Sequence, residues 1–468
     1  MSKIKFGTDG WRAIIAEEFT FYNLTRVAEG MAKWLQAKYP APSVIIGYDC
    51  RFLGARFCDT VANVMAQNGI DVYLAPAFSS TPMVSLAVQK QQISAGVVIT
   101  ASHNPPDYSG FKIKGHFGGP ATPEMITEVE ALIPDLPGEY PDELAALREA
   151  GKVQLCDMEA LYLNQVQQNF DLQAIRESGL KIGYDAMYGA GQSVIRKILP
   201  DAHLLHADFN PSFHGTAPEP IERNLGEFQE LIRREGLDIG IATDGDADRI
   251  GMFDENGDFV DSHHLILLLL HYLHKVKGLS GKVITTFSVT PKVAKLAERY
   301  GLPVATTKVG FKYICQIMLD GEGDVLVGGE ESGGIAIAGH VPERDGIYIG
   351  LTIAEMMAKS GKKLTELVQE IYDIVGAFSF QRNDLHISFA QKQDIIAKMQ
   401  AGHFTEFGSY PVARVEDFDG FKFFLPDEQW VMIRPSGTEP VLRVYAESST
   451  RAGAENILQE TIATILHG

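Results

Sequence analysis

A single pattern of short apolar strands and helices runs through this chain three times, and it restricts the possible folds more than any other feature. The first pass reads as strand at 43–49 (SVIIGYD), helix at 55–68, strand at 71–75, helix at 82–91 and strand at 96–100. The second reads as strand at 181–185, helix near 191–199, strand at 202–207, helix at 226–235 and strand at 237–243. The third has strands at 282–287, 302–307 and 324–329, with helices at 290–300 and 310–319. Ile-Gly-Tyr-Asp recurs verbatim at 46–49 and 182–185. Alternation of this kind predicts α/β layers with mixed, largely parallel sheets. Repetition also puts equivalent loops in equivalent places. After about residue 375 the segments lengthen and alternate more strictly, which predicts a smaller C-terminal α+β domain. With 468 residues the chain exceeds what one core supports. The expected domains are 1–150, 151–258, 259–374 and 375–468, the first boundary following the Pro-, Gly- and acid-rich stretch 134–151.

In each repeat the last strand empties into an unusual polar loop: TASHNPP (100–106), TDGDADR (243–249) and GGEESGG (328–334). Ligands of open α/β sheets bind beyond the carboxyl ends of the strands, so three equivalent loops can converge on one cleft. In the first, Pro105 and Pro106 stiffen the turn that carries Ser102 and His103. A serine so held can carry a covalent group, although Ser and Asn are also ordinary turn residues. In the second, Asp244, Asp246 and Asp248 alternate around Gly245 and can fold their oxygens about one hard cation, Mg²⁺ being the natural guest. The stretch lacks the glycine an EF-hand needs at its sixth position, and a solvated acidic turn is the other reading. Near the C-terminus, Arg434-Pro435-Ser436-Gly437-Thr438-Glu439-Pro440 offers a guanidinium, two hydroxyls and a glycine-permitted turn, either a phosphate cradle or a plain hairpin turn. Arg12, in GTDGWR, and Lys112, in GFKIKG, could reach the same cleft or remain surface charges.

Composition narrows the function classes. A net charge of −19 argues against a nucleic-acid or anionic-membrane surface, so an anionic substrate needs locally concentrated basic groups. Four cysteines without a paired spacing fit a reducing compartment, and no secretory h-region is visible, so a cytoplasmic protein is expected. The run Leu265–Leu270 is too short for a membrane span and reads as a buried helix; the histidines flanking it, His263, His264, His271 and His274, lack the partners of a metal site. Tyr188-Gly189-Ala190-Gly191 begins like a dinucleotide fingerprint, but position 194 is Val and that reading fails.

Four loops in this order, with FGTDGWR at the start, closely resemble those of the α-D-phosphohexomutases: TASHNP for the phosphoserine, DGDADR for magnesium, GEESGG for the sugar and RPSGTEP for phosphate. The resemblance spans nearly the whole chain. It implies three related α/β domains and a fourth like the TATA-binding protein fold. It implies that Ser102 is phosphorylated and that Asp244, Asp246, Asp248 and one phosphate oxygen hold Mg²⁺. Two phosphoryl transfers through a sugar 1,6-bisphosphate would then interconvert 1- and 6-phosphates. His103, Arg12 and Lys112 would handle protons and charge, and Arg249 would steady the moving phosphate. Glu330 and Ser332 would hold sugar hydroxyls, while Arg434, Ser436, Gly437 and Thr438 would grip the non-reacting phosphate.

The sugar expected from this resemblance is glucose, with glucose 1,6-bisphosphate as intermediate and activator. GEESGG is nearer the phosphoglucomutase form than the forms ending in histidine, and the segment 308–313, with Lys308 and Gly310, also resembles that group. His340 and Arg344, in GHVPERDG, match positions of a histidine and a basic phosphate contact. Phosphomannomutase and phosphoglucosamine mutase are the alternatives; a metal-dependent sugar phosphatase or a non-catalytic phosphosugar sensor would be of a different class. Partners beyond a small phosphosugar are not expected, the protein being a monomer or homodimer.

Overall fold

The computed structural model describes residues 4–321, 324–436 and 441–467. Its first three sheets share one strand order. In the first, Ser43–Tyr48 lies parallel between Asp71–Leu74 and Ala95–Ile99, and Tyr108–Gly115 returns antiparallel beside Ala95–Ile99. In the second, Ile182–Asp185 lies parallel between His203–Leu205 and Ile239–Thr243, with Ile250–Phe253 returning antiparallel. The third repeats this with Lys282–Thr286 between Val304–Thr307 and Val325–Gly329, and Ile335–Ile337 antiparallel. Each polar loop therefore occupies one topological position, the turn from the last parallel strand into its antiparallel partner.

Local chemistry explains the elements. Ala95–Ile99 and Ile239–Thr243 are buried throughout, as parallel strands covered on both faces must be. Three helices start at a capping hydroxyl with proline in the first turn: Ser80 accepts from the Met83 amide, Thr122 from Met125 and Thr290 from Lys292. Helix Ser262–His271 is apolar from Leu265 through Leu270 and lies inside the protein. Its histidines have structural partners: His263 accepts from the Thr290 amide and packs on Phe380, while His264 bridges Asp261 and Tyr372.

The expected boundary at 150 falls inside the first sheet. Strand Val153–Leu155 pairs in parallel with Asp71–Leu74, so the sheet takes its edge from beyond the stretch that reads as a linker. The strand is three residues long with Gln154 and Leu155 exposed, too short and too open to show an alternating pattern. Similarly, Phe259–Val260 extends the second sheet. The three repeats are not separate bodies either. One continuous apolar cluster runs from Ile45 and the helix Thr81–Lys90 through both later sheets to Phe378, while the other faces have cores of their own, a large one on the first sheet and smaller ones around Phe228 and Phe253 on the second and around Ile284 and Phe311 on the third.

The C-terminal domain is an antiparallel sheet ordered 379–386, 441–448, 430–435, 421–424, 414–416, with helices Phe389–Gln400 and Arg451–His467. It has its own core and meets the third domain through Phe287, Trp430, Met432 and Tyr445. Among the described residues no helix is long and apolar enough to cross a membrane.

Candidate active site

The topologically equivalent loops meet. Ser102 Oγ donates to Asp244 Oδ2 at 2.6 Å, joining the first loop to the second. The Ile250 amide, just past the second loop, donates to the carbonyl of Gly333 in the third at 3.1 Å. The first two loops each carry a non-glycine residue in the left-handed region, Ser102 at φ 52° and Ala247 at φ 58°. Such residues cost about 1–3 kcal/mol each and persist only where their surroundings overdetermine them.

At Ser102 those surroundings are explicit. Its amide donates to Thr100 Oγ1 at 2.8 Å, and its carbonyl accepts from Arg51 at 2.7 Å. A Cβ at Gly245 would lie 2.5 Å from that same carbonyl, so the Asp loop needs glycine there to approach the serine. His103 Nδ1 is 3.3 Å from Ser102 Oγ. Burial, then the charges of Arg249, Arg12, Lys112 and Arg51, hold the His103 imidazole well below its ordinary pKa and therefore neutral. The local concentration of basic groups that an anionic ligand requires is thus present in a chain of net charge −19. Arg12 is oriented by Asn104 Oδ1 at 2.8 Å, and Asp9 is near its guanidinium at 3.9 Å.

The three loop aspartates are fully buried, with one oxygen from each within 4.8 Å of the others. Lys112, 0% exposed at its side chain, lies 2.8 Å from Asp246 Oδ2, 2.9 Å from Asp248 Oδ2 and 2.8 Å from Asp9 Oδ2. Thr81 also donates to Asp246 Oδ2, at 2.5 Å, and Arg344 pairs with Asp248 at 2.7 Å and with Asp9. Burial works against the Lys112 charge, but Asp246, Asp248 and Asp9 outweigh it and raise its pKa. Asp244 is pushed well up by burial and by Asp246 and Asp248. Among the described residues the Oδ1 atoms of Asp246 and Asp248 are buried without a hydrogen-bond partner. Orphaned carboxylate oxygens beside a third carboxylate are a hard-cation donor set. The residues present fit a divalent ion.

Glu330 follows the strand Val325–Gly329 and accepts from the Gly310 amide at 3.0 Å. Burial raises its carboxyl to about 7, Arg344 acting in the opposite sense and Glu331 in the same one. The preceding amide, Val309, donates to Asp419 Oδ2 at 2.7 Å, and Asp419 also holds Arg434 Nε at 3.1 Å. Consecutive amides thus bind carboxylates from two domains. Ser332 is half-buried at the hairpin turn, and Lys308 stays exposed. Ser436 follows Arg434, its amide bonded to the Val441 carbonyl at 2.9 Å; Gly437 and Thr438 lie outside the described residues. A Cβ at Gly334 would lie 2.5 Å from Arg344 Cδ, so Arg344 fills the space that a side chain at the end of the third loop would take.

His340 is not brought to the loops. Its Nε2 bonds Asp345 Oδ2 at 2.8 Å and its ring stacks on Tyr348 at 4.0 Å, while Asp345 caps helix Gly346–Ser360 and accepts from Tyr162. The sequence motif shows a histidine; only packing shows that it is committed to the helix start. Sequence reasoning also passed over Asp9, Arg51, Thr81 and Asp419. Asp9 sits inside GTDGWR, and Arg51 follows the repeated Ile-Gly-Tyr-Asp by two residues, so a polar reading of those segments could have found both. Thr81 reads only as a helix start, and Asp419 carries no signal. The rejected Tyr188–Gly191 motif has a role as well, since Gly189 packs against the Asp244 carbonyl and Gly245.

Comparison with known proteins identifies the family. Family models described as phosphoglucomutase/phosphomannomutase match in order along the chain: alpha/beta/alpha domain I at 3–137, domain II at 160–257, domain III at 261–375 and the C-terminal domain at 390–464. A phosphoglucomutase/phosphomannomutase of Thermococcus kodakarensis is 31% identical over 97% of this chain and 96% of its own. A phosphoglucosamine mutase of Carboxydothermus hydrogenoformans is 29% identical over 98% of each. The crystal structure of a putative phosphomannomutase from Thermus thermophilus superposes over 100% of both chains with a TM-score of 0.86 at 32% identity. With four domain models matched in sequence order and three equivalent loops in contact, the chain belongs to the phosphoglucomutase/phosphomannomutase family of α-D-phosphohexomutases and is a mutase that transfers a phosphoryl group within a hexose phosphate.

Proposed function

We propose that the protein interconverts α-D-hexose 1-phosphates and 6-phosphates through phospho-Ser102. The observation that carries this reading is the Ser102 hydroxyl held 2.6 Å from Asp244, beside two buried carboxylate oxygens that have no partner among the described residues. Phospho-Ser102 gives its phosphoryl group to the free O6 of a hexose 1-phosphate; His103, neutral and adjacent, takes the hydroxyl proton and passes it to the departing Ser102 oxygen. The bisphosphate turns over, His103 takes the Ser102 hydroxyl proton as the C1 phosphoryl returns to Ser102, and gives it to the departing O1. Lys112, held charged, remains an electrostatic partner and not the base. Asp244, Asp246 and Asp248 would hold Mg²⁺, which when bound offsets oxygen charge during transfer. Arg249 stabilises the moving group, Glu330 and Ser332 take sugar hydroxyls, and Arg434 grips the idle phosphate in both orientations, with Ser436, Gly437 and Thr438 alongside.

For the sugar, glucose follows from GEESGG, but the relatives' names support mannose and glucosamine at least as well. We assign a hexose pocket serving glucose and mannose, because the relatives at 31% and 32% identity both carry phosphomannomutase in their names, with glucosamine second. The test compares kcat/KM for glucose, mannose and glucosamine 1-phosphates with a sugar 1,6-bisphosphate and Mg²⁺. Isomer formation supports a mutase; inorganic phosphate released faster than isomer would make it a phosphatase, and binding without turnover a sensor.

The same assay checks Glu330. Its carboxyl titrates at about 7, and only the ionised form accepts two hydroxyls, so KM should rise several-fold as the pH falls from about 8 to about 6. Glu330→Gln should flatten that slope, which separates it from titration of the substrate phosphate. A wild-type KM independent of pH would remove Glu330 from sugar binding.

A further inference from the structure

We propose that Arg51 is a positioning residue for Ser102, setting the serine oxygen for phosphoryl transfer without touching substrate; the inference rests on the phosphoserine reading above. Arg51 is buried, with its side chain 0% exposed. Its Nη2 donates to the carbonyls of Ser102 at 2.7 Å and Asn104 at 2.6 Å, and its Nη1 to those of Pro105 at 2.7 Å and Tyr108 at 3.0 Å. One guanidinium thus gathers four carbonyls from seven consecutive residues, the whole turn that carries the serine. Its Nε faces Asp49 Oδ2 at 3.2 Å without the alignment of a hydrogen bond, so that pair is electrostatic. Asp49 is in turn fixed by Thr100, whose hydroxyl also receives the Ser102 amide, and by the Arg51 amide at 2.9 Å.

This arrangement explains how Ser102 keeps its left-handed φ of 52°. The residue is held from its amide side by Thr100 and from its carbonyl side by Arg51, and both holders rest on Asp49. On the far side the guanidinium lies 5.0 Å over the ring of Phe213, a residue of the domain that carries the Asp loop. Arg51 therefore fixes the serine turn within its own sheet and against the neighbouring domain, where Asp244 receives the hydroxyl. Four carbonyl acceptors suit the forked guanidinium and not the single ammonium of lysine. Misplacing a reacting atom by about 1 Å costs on the order of 10²-fold in rate.

The experiment measures kcat and KM for hexose 1-phosphate in Arg51→Lys and Asp49→Asn, together with melting temperature and the rate at which a sugar bisphosphate phosphorylates Ser102, read by intact mass. The expected result is a kcat lower by about 10²-fold in Arg51→Lys and about 10-fold in Asp49→Asn, with KM within a few-fold and Ser102 phosphorylation slowed in proportion. A role confined to stability would lower the melting temperature and leave kcat of the folded fraction unchanged, and that result overturns the proposal. If Arg51→Lys yields no folded protein, Asp49→Asn decides alone: wild-type kcat overturns the proposal, and a fall in kcat at constant KM supports it. Failure of the phosphoserine reading itself would show differently, as wild-type enzyme that isomerises without ever acquiring phosphate from the bisphosphate.

Discussion

Replacing Ser102 with alanine should reduce kcat by about 10⁴-fold or more while leaving the protein folded, as expected when a covalent group carrier is removed. The side chain is 1% exposed, and the substitution leaves no cavity larger than one oxygen. What is lost structurally is the hydrogen bond to Asp244, worth about 1.5–3 kcal/mol because the acceptor is a carboxylate, and the 3.3 Å contact with His103 Nδ1. Thr100 and Arg51 bind the backbone of residue 102 and are indifferent to its side chain. Circular dichroism and melting should therefore resemble wild type, intact mass should show no acquired phosphate, and a coupled isomerase assay should show almost no turnover. Activity within ten-fold of wild type would refute the phosphoserine mechanism.

Lys112→Met should have the second largest effect, and on stability as well as rate. The ammonium lies within 2.9 Å of Asp9, Asp246 and Asp248, and its side chain has no solvent exposure. Removing one member of a buried ionic cluster leaves uncompensated charge and costs about 3–5 kcal/mol. Loss of a preorganised cation beside the transferring phosphoryl should lower kcat by about 10³-fold. Divalent cation discriminates this account from simple loss of packing. With one fewer positive charge among the carboxylates, Mg²⁺ should raise the melting temperature of Lys112→Met by more than it raises that of wild type, each measured against EDTA. Equal shifts would mean that Lys112 does not neutralise the Asp loop.

The repeats were legible because parallel strands buried on both faces must be continuous apolar runs, and Ala95–Ile99 and Ile239–Thr243 are such runs. The loops were legible because they interrupt those runs abruptly with Ser, Asp, Glu and Gly. The edge strand Val153–Leu155 was not, since two of its three side chains face solvent and register no pattern. Residues that act on backbone carbonyls were also hidden. Arg51 binds no motif side chain except Asp49, and four of its partners are peptide oxygens, which have no sequence signature. His340 shows the converse: a chemically capable side chain in a suggestive motif, committed to Asp345 and Tyr348.

The adjacent amides of Val309 and Gly310 have a consequence for how selectivity can change. One bonds Asp419, which holds Arg434; the other bonds Glu330. In the proposed reading these are the residue that anchors the idle phosphate and the residue that discriminates the sugar ring, and they share two neighbouring peptide units. A rotation there moves both. Affinity for the phosphate and preference among hexoses are therefore not independent variables in this protein: broadening the sugar range by loosening this segment carries a weaker anchor with it, and a change confined to the sugar must be made at side chains that leave the two amides where they are.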